Sequence, residues 1–145
     1  MKNFLILIVT LACCQMAYSQ NYNVMLIPDS LTKNANVVDR YSEMHITILS
    51  DKKARLYEKE VYTILNEAGD KYANYYTSYD KFNTINDIDG NLYDASGKRM
   101  KEVKKKDISD HAAFDGYSLM QDARYKEHNF YCKDYPYTVE YEEDD

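Results

Sequence analysis

Two groups of residues have types and spacings that could do chemistry. Cys132, with His111 or His128 and any of several aspartates, supplies the parts of a thiol triad. A catalytic cysteine needs an adjacent base, and usually a helix N-terminus, to lower its pKa. Cys132 instead closes a strand-like run, Tyr125 to Cys132. His128 stands four residues earlier, on the same face of such a strand but too far along it to touch. The second group is Asp87-Ile88-Asp89-Gly90-Asn91 with Asp94 beyond, which suggests a calcium loop. An EF-hand needs glycine at its sixth position and an acid at its twelfth. Gly90 comes fourth from Asp87, and Lys98 and Arg99 occupy the distal positions, so turn chemistry explains these residues better. His45, His111 and His128 are scattered without metal spacing. There is no phosphate-binding glycine loop, paired-carboxylate signature or nucleophile elbow. The residues therefore assign no catalytic, cofactor-binding or metal site, and the expectation is a non-enzyme without a cofactor.

The elements that carry these residues read as strands. Val37 to Leu49 alternates with period two, with Met44, Ile46 and Ile48 opposite Glu43, His45 and Thr47, as in a half-buried strand. Asp51-Lys52-Lys53 turns the chain. Ala54 to Asn66 returns with one face of Leu56, Glu58, Glu60, Tyr62 and Ile64, so the pair predicts an unusually long antiparallel hairpin. Before it, Asn21 to Ile27 reads as extended up to Pro28, and Asp29-Ser30 as the cap of a brief helical turn over Leu31 to Ala35. After it, Glu67-Ala68-Gly69-Asp70 reads as a turn with Gly69 available for a positive φ.

Tyr72 to Tyr79 and Thr84 to Tyr93 follow as strands, with Gly90 marking a bulge or weak spot. Asp94 to Lys98 forms a tight turn around Gly97, and Arg99 to Val103 pairs back. Asp107 to Arg124 is irregular, with a loop at His111 to Gly116. Tyr125 to Cys132 and Tyr137 to Glu142 alternate again. Tyr137, Val139 and Tyr141 share one face, as in a strand buried on one side. Glu142-Glu143-Asp144-Asp145 reads either as an acidic tail or as a sheet cut short with an exposed edge. The fold class is mainly β: an antiparallel β-sandwich-like domain, incomplete at its C-terminus.

The first nineteen residues bear on compartment. Lys2, the apolar run Phe4 to Cys14 and the small-x-small pattern Ala17-Tyr18-Ser19 have the layout of a secretory signal peptide over residues 1–19. The run is too short to span a bilayer, so no transmembrane segment is expected after cleavage. Lipidation at Cys13 or Cys14 fits less well, because Thr10 or Cys13 falls where the lipoprotein pattern wants another residue. The expected location is exported: periplasmic, cell-surface or secreted. Residues 20–145 form the expected β domain. Removing Lys2 from the 18 basic residues leaves 17 against 24 acidic ones, a net charge of −7. That excludes nucleic acid as the main partner and disfavours anionic lipid. Lys104-Lys105-Lys106 is the only basic cluster and reads as a solvated run. Cys132 alone remains after the leader, so no intramolecular disulfide is expected. Fifteen of the sixteen tyrosines lie beyond the leader, with no tryptophan. Tyrosine suits strands and can also face sugars or peptides.

Three stretches in order carry a resemblance. They are Leu26-Ile27-Pro28-Asp29-Ser30-Leu31 with Asn34 to Arg40, then Val61 to Tyr72 (VYTILNEAGDKY), then Tyr93 to Lys98 joined to Tyr135-Pro136-Tyr137-Thr138-Val139-Glu140-Tyr141. Together they resemble DUF3857, a domain of unknown function that precedes transglutaminase-like domains in exported bacterial proteins. The resemblance implies a non-catalytic β-sandwich-like module. It also implies a papain-like Cys-His-Asp domain following in the same polypeptide, which is missing from these 145 residues. The first functional expectation is accordingly a module that packs against or supports that transglutaminase-like domain. The second is a stand-alone module binding an extracellular peptide or glycan through exposed tyrosine faces.

Overall fold

The structure, a computed structural model, describes residues 21–113 and 122–145. The leader with Cys13 and Cys14, and Phe114-Asp115-Gly116 of the expected loop, lie outside the described residues. The long hairpin is present: β1 (Val37–Ser50) pairs antiparallel with β2 (Lys53–Ile64) through the turn at Asp51-Lys52. The remaining strands are β3 (Tyr75–Tyr79), β4 (Asp87–Tyr93), β5 (Arg99–Glu102), β6 (Ser109–Ala112), β7 (Arg124–His128) and β8 (Tyr137–Asp144). They form two antiparallel sheets, one in the order β1-β2-β8-β4-β5 and one in the order β3-β7-β6. The fold is mainly β, as the alternation implies.

The smaller sheet covers part of one face of the larger. Between them lie Ile64 of β2, Leu92 of β4, Tyr137, Val139 and Tyr141 of β8, and Ala73, Val103 and Phe130 from the connections. Tyr75 of β3 stacks on Tyr141 with ring centres 4.8 Å apart, which ties the two layers together.

The last strand departs most from expectation. β8 is neither buried on one side only nor an edge. It is the central strand, paired with β2 on one side and β4 on the other, and Tyr137 to Tyr141 are buried on both faces. Its acidic end is no solvated tail either, since Glu142, Glu143 and Asp144 continue both ladders. Local alternation reports a strand's own two faces and says nothing about which strands will flank it.

β1 errs in the opposite direction. Met44, Ile46 and Ile48 share a face as expected, but all three are exposed, by 60%, 64% and 72%. They extend the core-facing side of the larger sheet beyond the reach of the smaller one.

Several local elements also differ. Asn21 to Ile27 is not a continuous strand: Val24–Leu26 is a 3₁₀ turn, capped by the Asn23 side chain accepting from the Met25 N–H at 2.9 Å. Asp29 and Ser30 lie inside the short helix α1 (Asp29–Thr32) with Pro28 before it, so neither caps it. Glu67–Ala73 is a 3₁₀ helix. Gly69 there is required for space rather than for φ, because a Cβ would run into the Asn36 carbonyl. Gly90 makes no bulge against β8: its register runs unbroken opposite Tyr141. A Cβ would lie 2.7 Å from both the Tyr141 ring and Val103. His111 and Ala112 belong to β6 and not to a loop. Gly97 does take φ +84 in the turn, where Asp94 Oδ1 accepts from the N–H groups of Ser96 and Lys98. Among the described residues no helix is long and apolar enough to cross a membrane.

Candidate functional site

The β2–β8 ladder has two faces of different character. On the outer face, away from the smaller sheet, carboxylates meet cations and hydroxyls. Lys59 Nζ lies 2.6 Å from Glu142 and 3.4 Å from Glu140. Glu140, itself buried, also accepts from Asn91 Nδ2 at 3.1 Å and from the hydroxyls of Tyr93 and Tyr22. Tyr57 donates to Glu142 at 3.0 Å, and Arg55 forks onto Asp144, with Nε 2.6 Å from Oδ1. Burial pulls the Lys59 ammonium pKa down, but Glu142 and Glu140 outweigh it and the net shift is upward. Burial, and then the neighbouring carboxylates, push Tyr57 and Tyr93 each up to about 12.

On the inner face, Glu58 of β2 stands directly opposite Glu143 of β8. Like charges so placed repel. Glu143 is buried and is held by two hydroxyl donors from β3, Tyr75 and Thr77, the latter at 2.7 Å. Glu58 is half-buried, with no hydrogen-bond or ion-pair partner among the described residues. Its pKa is raised by burial first and then by Glu143 and Glu60. Asp145 is pushed up to about 7 by burial and by Glu143, and its Oδ1 is buried without a partner.

These groups border a groove of about 300 Å³ between β2, the end of the 3₁₀ helix and β3. It is lined by Tyr62, Tyr72, Tyr75, Tyr76 and Tyr141, with Glu58, Glu60 and Glu143 along one side; the Tyr76 ring itself turns to the other face of its sheet and packs on Tyr125, with centres 5.2 Å apart. Tyr62 and Tyr72 face each other with centres 6.1 Å apart, and Lys71 Nζ lies 4.9 Å over the Tyr72 ring.

The residues singled out for chemistry are not brought together. His128 is buried, its Nδ1 2.8 Å from the Tyr141 hydroxyl and its ring edge-on to Phe130. Burial lowers its pKa, which favours the neutral imidazole. His111 is exposed on β6, 3.4 Å from Glu127. Cys132 lies past the end of β7, half-buried against the core, and no hydrogen bond joins it to either histidine. Asp87, Asp89 and Gly90 are in strand β4 and not in a turn or loop, while Asp94 sits in the turn beyond. Among the described residues no group of three or more acidic, histidine or cysteine side chains is arranged to hold a metal. The Lys104–Lys106 run is exposed, as read.

Sequence reasoning missed the Glu58–Glu143 pair. The signal was available. Alternation carried past Tyr141 places Glu143 on the face of Tyr137, Val139 and Tyr141, and Glu58 shares its face with Leu56, Tyr62 and Ile64. Ending the strand at Glu142 leaves Glu143 off that face.

Two facing antiparallel sheets with a polar ladder on one side and a tyrosine groove on the other define a β domain without an assembled catalytic constellation among the described residues. A family model described as a domain of unknown function with a solved structure, DUF3857, matches residues 50–143, more than half of the chain, and the protein belongs to this family. No curated protein and no solved structure matches it.

Proposed function

We propose that this protein is an exported, non-catalytic β module that packs against a transglutaminase-like domain. The observation that supports this most is the uncovered apolar row Met44, Ile46 and Ile48 on edge strand β1. The row prolongs the same sheet face that elsewhere buries the core. Leu56 and Ala54 stand opposite it on β2 and widen the apolar surface. Such a surface on a half-covered sheet is what a second domain would bury. Export rests on the leader of residues 1–19. Reading the DNA frame beyond codon 145 tests the pairing. A frame continuing into a Cys-His-Asp domain supports it, and Ile46→Asp in the joined protein should then loosen the contact, read as faster amide exchange over residues 44–49. A stop codon followed by unrelated sequence rules out a partner in the same chain.

A second reading, a module that binds a peptide or glycan through tyrosine faces, draws on a different observation. The groove beside β3 presents several tyrosine rings, and Tyr72 there is 44% exposed.

A further inference from the structure

The groove between β2 and β3 combines three features that the fold does not otherwise use. The first is charge without a counter-ion. Glu58 faces Glu143 across the ladder, Glu60 lies beside them, and Glu58 has no partner among the described residues. Glu143 is held by the Tyr75 and Thr77 hydroxyls and by the Asp145 carboxyl, and by no cation among the described residues. Among the described residues Lys71 is the single basic one lining the groove, so the three carboxylates leave it negative. The second feature is aromatic walls. Lys71 already holds its ammonium over Tyr72, so this surface accepts a cation on a ring face in the folded protein. The third is a free strand edge. Among the described residues β3 pairs only with β7, which leaves its other edge without a strand, and Asn74 with Tyr75 to Thr77 of β3 line the groove. An extended chain laid along such an edge gains backbone hydrogen bonds and drops alternate side chains to one side.

We propose that this groove binds the basic side chain, lysine or arginine, of an extended peptide added to the free edge of β3. The alkyl stem lies along the Tyr72 ring, and the cationic head meets Glu58 and Glu60. Glu143, fastened by Tyr75 and Thr77, is a positioning residue that keeps the floor of the groove negative. A neutral sugar would use the rings and leave Glu58 uncompensated, whereas a cation uses both. This inference rests on the binding reading above and is independent of the transglutaminase-like partner.

The test uses the whole chain and four probes: acetyl-Gly-Val-Lys-Val-Gly-amide, its glutamine analogue, spermidine and cellotriose. Binding is read from amide shifts of residues 74–77 and from tyrosine fluorescence. The lysine peptide is expected to shift Tyr75 to Thr77 and Glu58, with the glutamine analogue about tenfold weaker. Glu58→Gln should weaken lysine-peptide binding about fivefold while raising the thermal midpoint, because it removes the charge opposite Glu143. A purely structural Glu58 would leave binding unchanged. Tyr72→Ala, at an exposed ring of the groove, should also weaken binding without unfolding the chain. Spermidine binding as tightly as the peptide would overturn the peptide as the source of the cation. Cellotriose binding without a peptide response would keep the tyrosine-face reading and overturn the cation. No response to any probe at millimolar concentration would overturn both.

Discussion

The two faces of one strand pair, β2 with β8, treat acidic residues in opposite ways. Outward, Glu140, Glu142 and Asp144 meet Lys59, Arg55 and tyrosine hydroxyls. Inward, Glu58, Glu143 and Asp145 meet hydroxyls and one another. The strands and the spacing are the same, so the difference comes from the side chains β2 puts on each face and from what packs against it. The outer face carries its own cations on β2. The inner face is roofed by β3, which supplies Tyr75 and Thr77 but no cation. Compensated carboxylates knit the outer face together, while uncompensated ones leave the inner face poised for an external cation.

Four measurements bear on that contrast. Lys59→Met should cost the most, about 3 kcal/mol in urea unfolding, because it strands the buried Glu140 and the adjacent Glu142 without their cation. An undiminished midpoint would mean the hydroxyls alone suffice outside as they do inside. The next effect is the pH dependence of thermal stability. Asp145 and Glu58 have folded pKa values above their unfolded ones, so their contribution is complete below about pH 4 and is lost as pH rises through about 7 for Asp145. Asp110 and Asp70 are shifted the other way, with contributions present above the usual carboxylate range and lost on further acidification. The midpoint should therefore climb from pH 8 to about pH 5 and fall below pH 4. A curve that only declines on acidification would show that the inner face is not under charge stress. Glu58→Gln should raise stability by about 0.5 kcal/mol at pH 7.5 and flatten the climb. Arg55→Gln, at the exposed end of the outer face, should leave the unfolding midpoint unchanged despite its forked contact with Asp144.

Parts of this arrangement could be read before the structure, and the boundary is physical. The β1–β2 hairpin, the Asp94–Lys98 turn and the return of β5 are local. Period-two alternation over ten or more residues and a glycine at a left-handed position specify them within one stretch of chain. Burial was less legible. Met44, Ile46 and Ile48 alternate as cleanly as any core strand, but alternation says only that a face is apolar, and the smaller sheet stops short of it. Gly90 shows the same limit. A glycine in a strand reads as a weakness until the Tyr141 ring across the ladder shows why no side chain fits.

The sequence by itself determined a mainly β chain with a long hairpin and a net acidic charge, because these follow from composition and from neighbours close in the chain. Only the tertiary structure decided that the acidic last strand runs through the middle of the sheet and that Glu58 meets Glu143. It alone put the tyrosines of β2, β3 and β8 around one groove. Those contacts join residues dozens of positions apart. Strand order sets them, through the combined burial of both sheets, and no single stretch of sequence encodes strand order.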